Sequence, residues 1–230
     1  MKTGIIFAAI AATALGSAAV MAAQQGGQAP AQPQQPMRFF VTSETGTGNL
    51  GGIAGADAKC QRLAQAAGAP ANRTWRAYLS TQGAGAVNAR DRIGAGPWHN
   101  QKGVQVAANV ADLHGDMERD RNYIIAETAL DEKGMVVPGR IGRPKGMMNQ
   151  HDIITGSDSH GRAMAGAEDR TCRNWTSAMG GGADRAMVGH SDRSGGNTTS
   201  WNSAHPSPGC DVAGLQQSGG AGRFYCFAIN

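Results

Sequence analysis

Apolar positions along this chain fall into a few short runs separated by long polar, glycine-rich stretches. Residues 38–42 (RFFVT) predict a short opening strand, and Gly51-Gly52 marks the turn after it. Ala56, Cys60, Leu63, Ala64 and Ala67 recur at helical spacing, which predicts an amphipathic helix over 55–67. Gly68 is placed to cap it, with Pro70 just beyond. Residues 74–81 (TWRAYLST) alternate and put Trp75, Ala77 and Leu79 on one face of a strand. Residues 103–106 (GVQV) predict a further short strand, and 122–130 (NYIIAETAL) a second helix that Lys133-Gly134 ends. From 137 to 221 the pattern is loop-like, broken by apolar runs at 152–154 and 186–188. The closing run 222–229 (GRFYCFAI) is the clearest strand, with Phe224, Cys226 and Ala228 facing one way. The pattern therefore predicts an α+β fold of short strands, two helices and long loops.

The N-terminus assigns a compartment. Lys2 precedes a charge-free run over 4–20, small residues follow at Ala18, Ala19, Ala22 and Ala23, and composition then changes abruptly. That is the pattern of a secretory signal peptide over 1–23. Thr13, Gly16 and Ser17 interrupt the run, which is short for a membrane span of about 20 residues. Residues 24–37 (QQGGQAPAQPQQPM) read as a Gln/Pro-rich disordered tail, which leaves 38–230 as one domain. Glycine, at 34 of 230 residues, is about twice its usual share of ~7% and signals many tight turns. Lys and Arg number 21 against 17 Asp and Glu, scattered rather than massed, which argues against a nucleic-acid partner.

Cys60, Cys172, Cys210 and Cys226 make an even count in an exported chain, which predicts two disulfides. Four cysteines allow three pairings. None sits in a CxxC, and their spacing makes no zinc finger. Cys60 lies on the inner face of the 55–67 helix, where a bridge to a strand would staple it. A Cys60–Cys226 bridge would tie the beginning of the domain to its end.

Residues 51–61 (GGIAGADAKCQ), 75–81 (WRAYLST), 156–162 (GSDSHGR), 171–175 (TCRNW) and 224–230 (FYCFAIN) together resemble endostatin, the C-terminal domain of certain collagens. The blocks keep the same order and span nearly the whole chain after residue 37. The resemblance implies a C-type-lectin-like fold and nested bridges, Cys60–Cys226 and Cys172–Cys210. It does not carry a sugar site with it. Calcium-dependent lectins use Glu-Pro-Asn or Gln-Pro-Asp with Trp-Asn-Asp; neither tripeptide occurs here, and Trp201-Asn202-Ser203 lacks the acid. Calcium needs six to eight oxygen ligands. Endostatin's clustered arginines and N-terminal zinc-binding histidines have no counterpart either.

Candidate chemistry collects late in the chain. His151-Asp152, Asp158-Ser159-His160, His190-Ser191-Asp192 and residues 201–205 (WNSAH) all precede the closing strand. Imidazoles and carboxylates from separate loops can meet as a metal site, with calcium or zinc as the candidate ions. Asp158, His160, His190, Asp192, Trp201, Asn202 and His205 are the candidate ligand-binding residues. In a sugar site Trp201 would stack on the ring; the alternative is that Asp, Ser and Asn simply build turns. Trp98, after Gly96-Pro97, reads as a core plug, and 116–121 (DMERDR) as a solvated start of a helix.

No Gly-x-Ser-x-Gly elbow, His-Glu-x-x-His or phosphate loop is present. The leading expectation is a secreted, non-catalytic module that binds a carbohydrate or an extracellular protein surface through its loops. A structural component of the envelope or matrix is the second reading. The third is an enzyme like the formylglycine-generating enzymes, which share the C-type-lectin-like scaffold and need a reactive cysteine pair.

Overall fold

The computed structural model describes Met1 and residues 34–115, 122–195 and 199–230. The signal peptide, most of the Gln/Pro-rich tail and the 116–121 run lie outside the described residues. Chain order is β1 (Phe39–Val41), α1 (Gly52–Ala66), β2 (Trp75–Ala77), a 3-10 turn (Ala89–Asp91), β3 (Trp98–His99), β4 (Gln105–Ala107) and α2 (Val110–His114). β5 (Asp152–Ile154), α3 (Cys172–Trp175), β6 (Met187–His190), β7 (His205–Pro206), α4 (Val212–Ser218) and β8 (Tyr225–Ala228) follow.

The closing strand β8 lies between β1 and β2, antiparallel to both. Successive side chains of a strand point to opposite faces, and here both faces are buried. Phe224, Cys226 and Ala228 join Phe40, Trp75 and Ala77 in one core, which α1 covers with Ala56, Cys60, Leu63 and Ala64. Tyr225 and Phe227 join Phe39, Tyr78, Trp98 and Trp201 in a second core on the other face. This explains why the 222–229 run reads as a strand from its apolar content rather than from strict polar alternation.

Two disulfides fasten this arrangement. Cys60 on α1 is bonded to Cys226 on β8, with Cα atoms 5.6 Å apart. Cys172, which opens α3, is bonded to Cys210 just before α4, with Cα atoms 5.8 Å apart. The nested pairing and the helix-to-strand staple agree with the expectation, and no cysteine is free.

A second three-stranded sheet, β5–β6–β7, is antiparallel throughout. It is locked to the approach to β8, because Asp152 N donates to Gly219 O at 3.1 Å and Ile154 N to Arg223 O at 2.9 Å. Gly189 in β6 is required by close approach: a Cβ there would lie 1.9 Å from Trp201 O. The missing side chain lets the 201–202 backbone cross β6 and deliver β7 to its edge.

Several sequence expectations need correction. Residues 122–130 are not a helix: Asn122 Oδ1 accepts Ile124 N at 3.1 Å and Thr128 Oγ1 accepts Ile125 N at 3.1 Å. These local side-chain bonds replace the helical ladder, while Ile124, Ala129 and Leu130 enter the core. Among the described residues four helices occur in place of the expected two, and three of them are one or two turns long. α3 is not a regular helix, since Cys172 to Trp175 all have positive φ, between 48° and 68°. Ordered contacts also begin before residue 38, as Gln34 Nε2 donates to Gln101 O at 3.0 Å and Met37 packs on the first core. Trp98 is fully buried, as a core plug should be.

Replacing Cys60 and Cys226 by alanine should destabilise the domain by about 5 kcal/mol, and replacing Cys172 and Cys210 by about 4 kcal/mol, because the first pair closes the longer loop. Urea unfolding of the two double variants under identical conditions measures the difference.

Candidate metal centre

The β5–β6–β7 sheet gathers its chemistry by register. Asp152 pairs with His190 across β5 and β6, and His205 pairs with Val188 across β6 and β7. Val188 and His190 are two residues apart on one strand, so Asp152, His190 and His205 share one face of the sheet. His151, just before β5, adds a fourth group.

The four side chains converge. Asp152 Oδ1 is 3.2 Å from His151 Nε2 and 3.5 Å from His190 Nε2. Asp152 Oδ2 is 3.6 Å from His205 Nε2, and the Nε2 atoms of His190 and His205 are 3.1 Å apart. His151, Asp152 and His190 are 0%, 1% and 5% exposed at the side chain; His205, at 35%, is the one that reaches solvent.

Hydrogen bonding leaves this cluster unsatisfied at its centre. Neither Asp152 carboxylate oxygen makes a hydrogen bond of good geometry, the Ser218 hydroxyl being the one donor near it, and His151 Nε2 has no partner. A buried carboxylate so poorly supplied with donors is strongly disfavoured unless a cation neutralises it. The outer nitrogens of His151 and His205 are held, whereas His190 Nδ1 is buried without a partner. Asp192 Oδ1 accepts from His151 Nδ1 at 2.8 Å and from Ser194 N at 3.0 Å. Its Oδ2 accepts from Arg140 N at 2.7 Å. Gly139 permits this approach, since a Cβ there would sit 2.4 Å from Asp192 Oδ2. His205 Nδ1 lies 3.2 Å from Pro206 O. With Nδ1–H directed outward, the Nε2 lone pairs of His151 and His205 point to the centre.

Electrostatics follows from burial. Burial pushes the His190 imidazole down to about 4, and neighbouring His151 and His205 add to the shift, so His190 is neutral at neutral pH. Burial raises the Asp152 carboxyl, partly offset by His205 and His151. Burial would also raise Asp192, but the hydrogen bonds from His151 and Ser194 prevail and hold it below the usual carboxylate range.

These donors fit a borderline transition-metal ion. Zinc binds imidazole nitrogen and carboxylate oxygen tetrahedrally at about 2.0–2.2 Å, which separates ligand atoms by about 3.3–3.5 Å. Four separations among these atoms, two to Asp152 Oδ1 and one to its Oδ2, run from 3.1 to 3.6 Å, and His151, Asp152 and His190 each offer an atom within 4.8 Å of the others. Three imidazoles do not suit calcium, which takes oxygen ligands. Asp192 supplies the carboxylate–histidine support that metal sites commonly use.

Of the residues the sequence nominates, His190 and His205 are in the cluster and Asp192 supports it. Asp158 and His160 are elsewhere: Asp158 Oδ1 accepts from His160 N at 2.9 Å and Arg162 N at 2.8 Å, closing a turn. Trp201 is fully buried between Tyr78 and Tyr225, so it offers no exposed face for a sugar ring. Asn202 is buried too and donates to Tyr78 OH at 2.9 Å. His151 and Asp152 stand out in the sequence as an adjacent pair, but their central position appears only with the β5–β6 register. Comparison of the chain with known protein families finds no matching family model, and comparison with curated proteins finds no match.

Without metal, stability should fall between about pH 6.5 and pH 4. The unfolded chain takes up a proton at a normal histidine while folded His190 refuses it. Asp152, raised in the folded state, opposes this trend. Chelated His190→Asn should therefore lose less stability than chelated wild type on going from pH 7 to pH 4.5, by on the order of 2 kcal/mol. Denaturant titrations at the two pH values test this, and equal losses would contradict it.

Proposed function

We propose that this chain is an exported, disulfide-stapled module, built on a C-type-lectin-like fold, that binds a zinc-class divalent ion through His151, Asp152, His190 and His205. The observation that carries the metal reading is the buried Asp152 carboxylate, faced by three imidazole Nε2 atoms and with no donor beyond the nearby Ser218 hydroxyl. A hydrogen-bonded structural cluster would satisfy that carboxylate internally; a cation at its centre satisfies it together with the Nε2 lone pairs of His151 and His205.

The fold assignment draws on the ordered endostatin-like blocks and on both bridges having the pairing that resemblance implies. Export draws on the N-terminal run and on the disulfides, which persist in oxidising compartments. Among the described residues no helix is long and apolar enough to cross a membrane. His151, Asp152 and His190 offer ligand atoms within 4.8 Å of one another, and His205 flanks them as a partly exposed fourth group. Binding rather than catalysis is proposed because the sequence carries no Gly-x-Ser-x-Gly, His-Glu-x-x-His or phosphate-loop motif. A carbohydrate-binding role has weaker support, since buried Trp201 and Asn202 are not available to a sugar.

Zinc added to the chelated full chain should bind at one ion per molecule. At a thousandfold excess over Kd it should stabilise the protein by about 4 kcal/mol, seen as a rise in thermal midpoint. Calcium should produce no shift. Asp152→Asn and His190→Ala should abolish the zinc response, while His160→Ala, outside the cluster, should retain it. Asp192→Asn should weaken zinc affinity about 10- to 100-fold. A wild-type chain that neither retains zinc, copper or nickel on equilibrium dialysis nor shifts its midpoint would end the metal reading.

A further inference from the structure

The segment between β4 and β5 carries a second feature, separate from the metal cluster. Met135, Val136, Ile141, Met147 and Met148 are 64%, 45%, 49%, 46% and 52% exposed. Those five side chains fall within fourteen consecutive positions, whereas the other exposed large apolar residues among the described residues are scattered singly. Met135, Val136 and Met147 line one groove, and clustered exposed apolar surface marks an interaction site. Its charge is one-sided: residues 133–150 contain Lys133, Arg140, Arg143 and Lys145 and no acidic residue.

Glu44 offsets Lys133 in part, and the acids next in sequence are mostly occupied internally. Asp131 and Glu132 are 8% and 2% exposed. Asp131 Oδ1 accepts from Lys133 N and Met135 N, each at 2.9 Å, and Glu132 accepts from Ser43 N at 2.9 Å. A groove of about 450 Å³ brings Met135, Val137 and Met147 together with Lys102, Arg143 and Arg223 and one acid, Asp131. The projection is anchored at its base, where Gln150 N donates to Pro138 O at 2.7 Å and Arg140 N to Asp192 Oδ2 at 2.7 Å.

We propose that residues 135–148 form a docking surface for an anionic phospholipid bilayer. Apolar side chains on an anchored projection enter the headgroup boundary, while flanking Lys and Arg meet anionic headgroups. Flexible methionines suit a fluid, irregular surface. Charge complementarity selects an anionic over a neutral membrane, and the groove offers an apolar slot beside the cations. The proposal does not depend on metal binding.

Sedimentation of the full chain with vesicles tests it. Vesicles of mixed phosphatidylcholine and phosphatidylglycerol should bind the chain more tightly than phosphatidylcholine alone, and the difference should shrink at high salt. Arg143→Glu with Lys145→Glu should weaken binding to the mixed vesicles by about fivefold or more per basic residue removed. Met147→Ser with Met148→Ser should weaken it as well. All four positions are exposed, and circular dichroism checks that the variants remain folded. The apolar run at residues 4–20 is common to every variant, so differences between variants read the loop. Two results would overturn the proposal. One is wild-type binding by both double variants. The other is a loss confined to the charge variant, which would mark a soluble polyanion instead of a bilayer.

Discussion

A central strand with no solvent face governs this molecule. β8 has an aromatic core on one side and the α1 core on the other, so its alternating side chains tie both halves of the interior together. Cys60–Cys226 makes that tie covalent by bonding the middle of the strand to the buried face of α1. Everything between them in the chain is a long excursion that leaves this frame and returns to it. Few aromatics and many glycines give the excursion little regular structure of its own, so it depends on contacts to the frame for its shape.

The second sheet shows that dependence. β5 is bonded through its backbone to residues 219 and 223, on the way into β8. That attachment gives Asp152 a fixed position in a dry environment. β6 and β7 then bring histidines to the same face, helped by Gly189, whose missing Cβ lets the 201–202 backbone pass. The outcome is a polar cluster built into rigid strands rather than displayed on loops. Placement on strands holds ligand atoms at set separations, which a metal site requires.

Asp192 connects this interior cluster to the surface. One oxygen orients His151 and the other receives the amide of Arg140 at the base of the exposed 135–148 projection. Order in the projection and orientation of His151 thus share a carboxylate. Gly139 is part of the same junction, because any side chain there would occupy the space of Asp192 Oδ2.

Local chemistry made much of the frame readable in advance. Cys60, Leu63 and Ala64 announce the buried face of α1 by spacing, and the run into Cys226 announces β8, because periodicity and β-propensity are properties of neighbours in sequence. The same reasoning failed at 122–130, where Asn122 and Thr128 satisfy the backbone locally and prevent the helix. It also nominated His160 and Trp201 beside His190 and His205, because residue type alone does not distinguish a turn residue, a core aromatic and a ligand. Sequence by itself determined the cysteine count, the periodic elements and a late store of histidine and carboxylate groups. Only tertiary structure decided which of those groups meet, since Asp152 faces His190 through cross-strand register and reaches His205 through a crossing that Gly189 allows. Such contacts join positions tens of residues apart, and no local pattern encodes their distance.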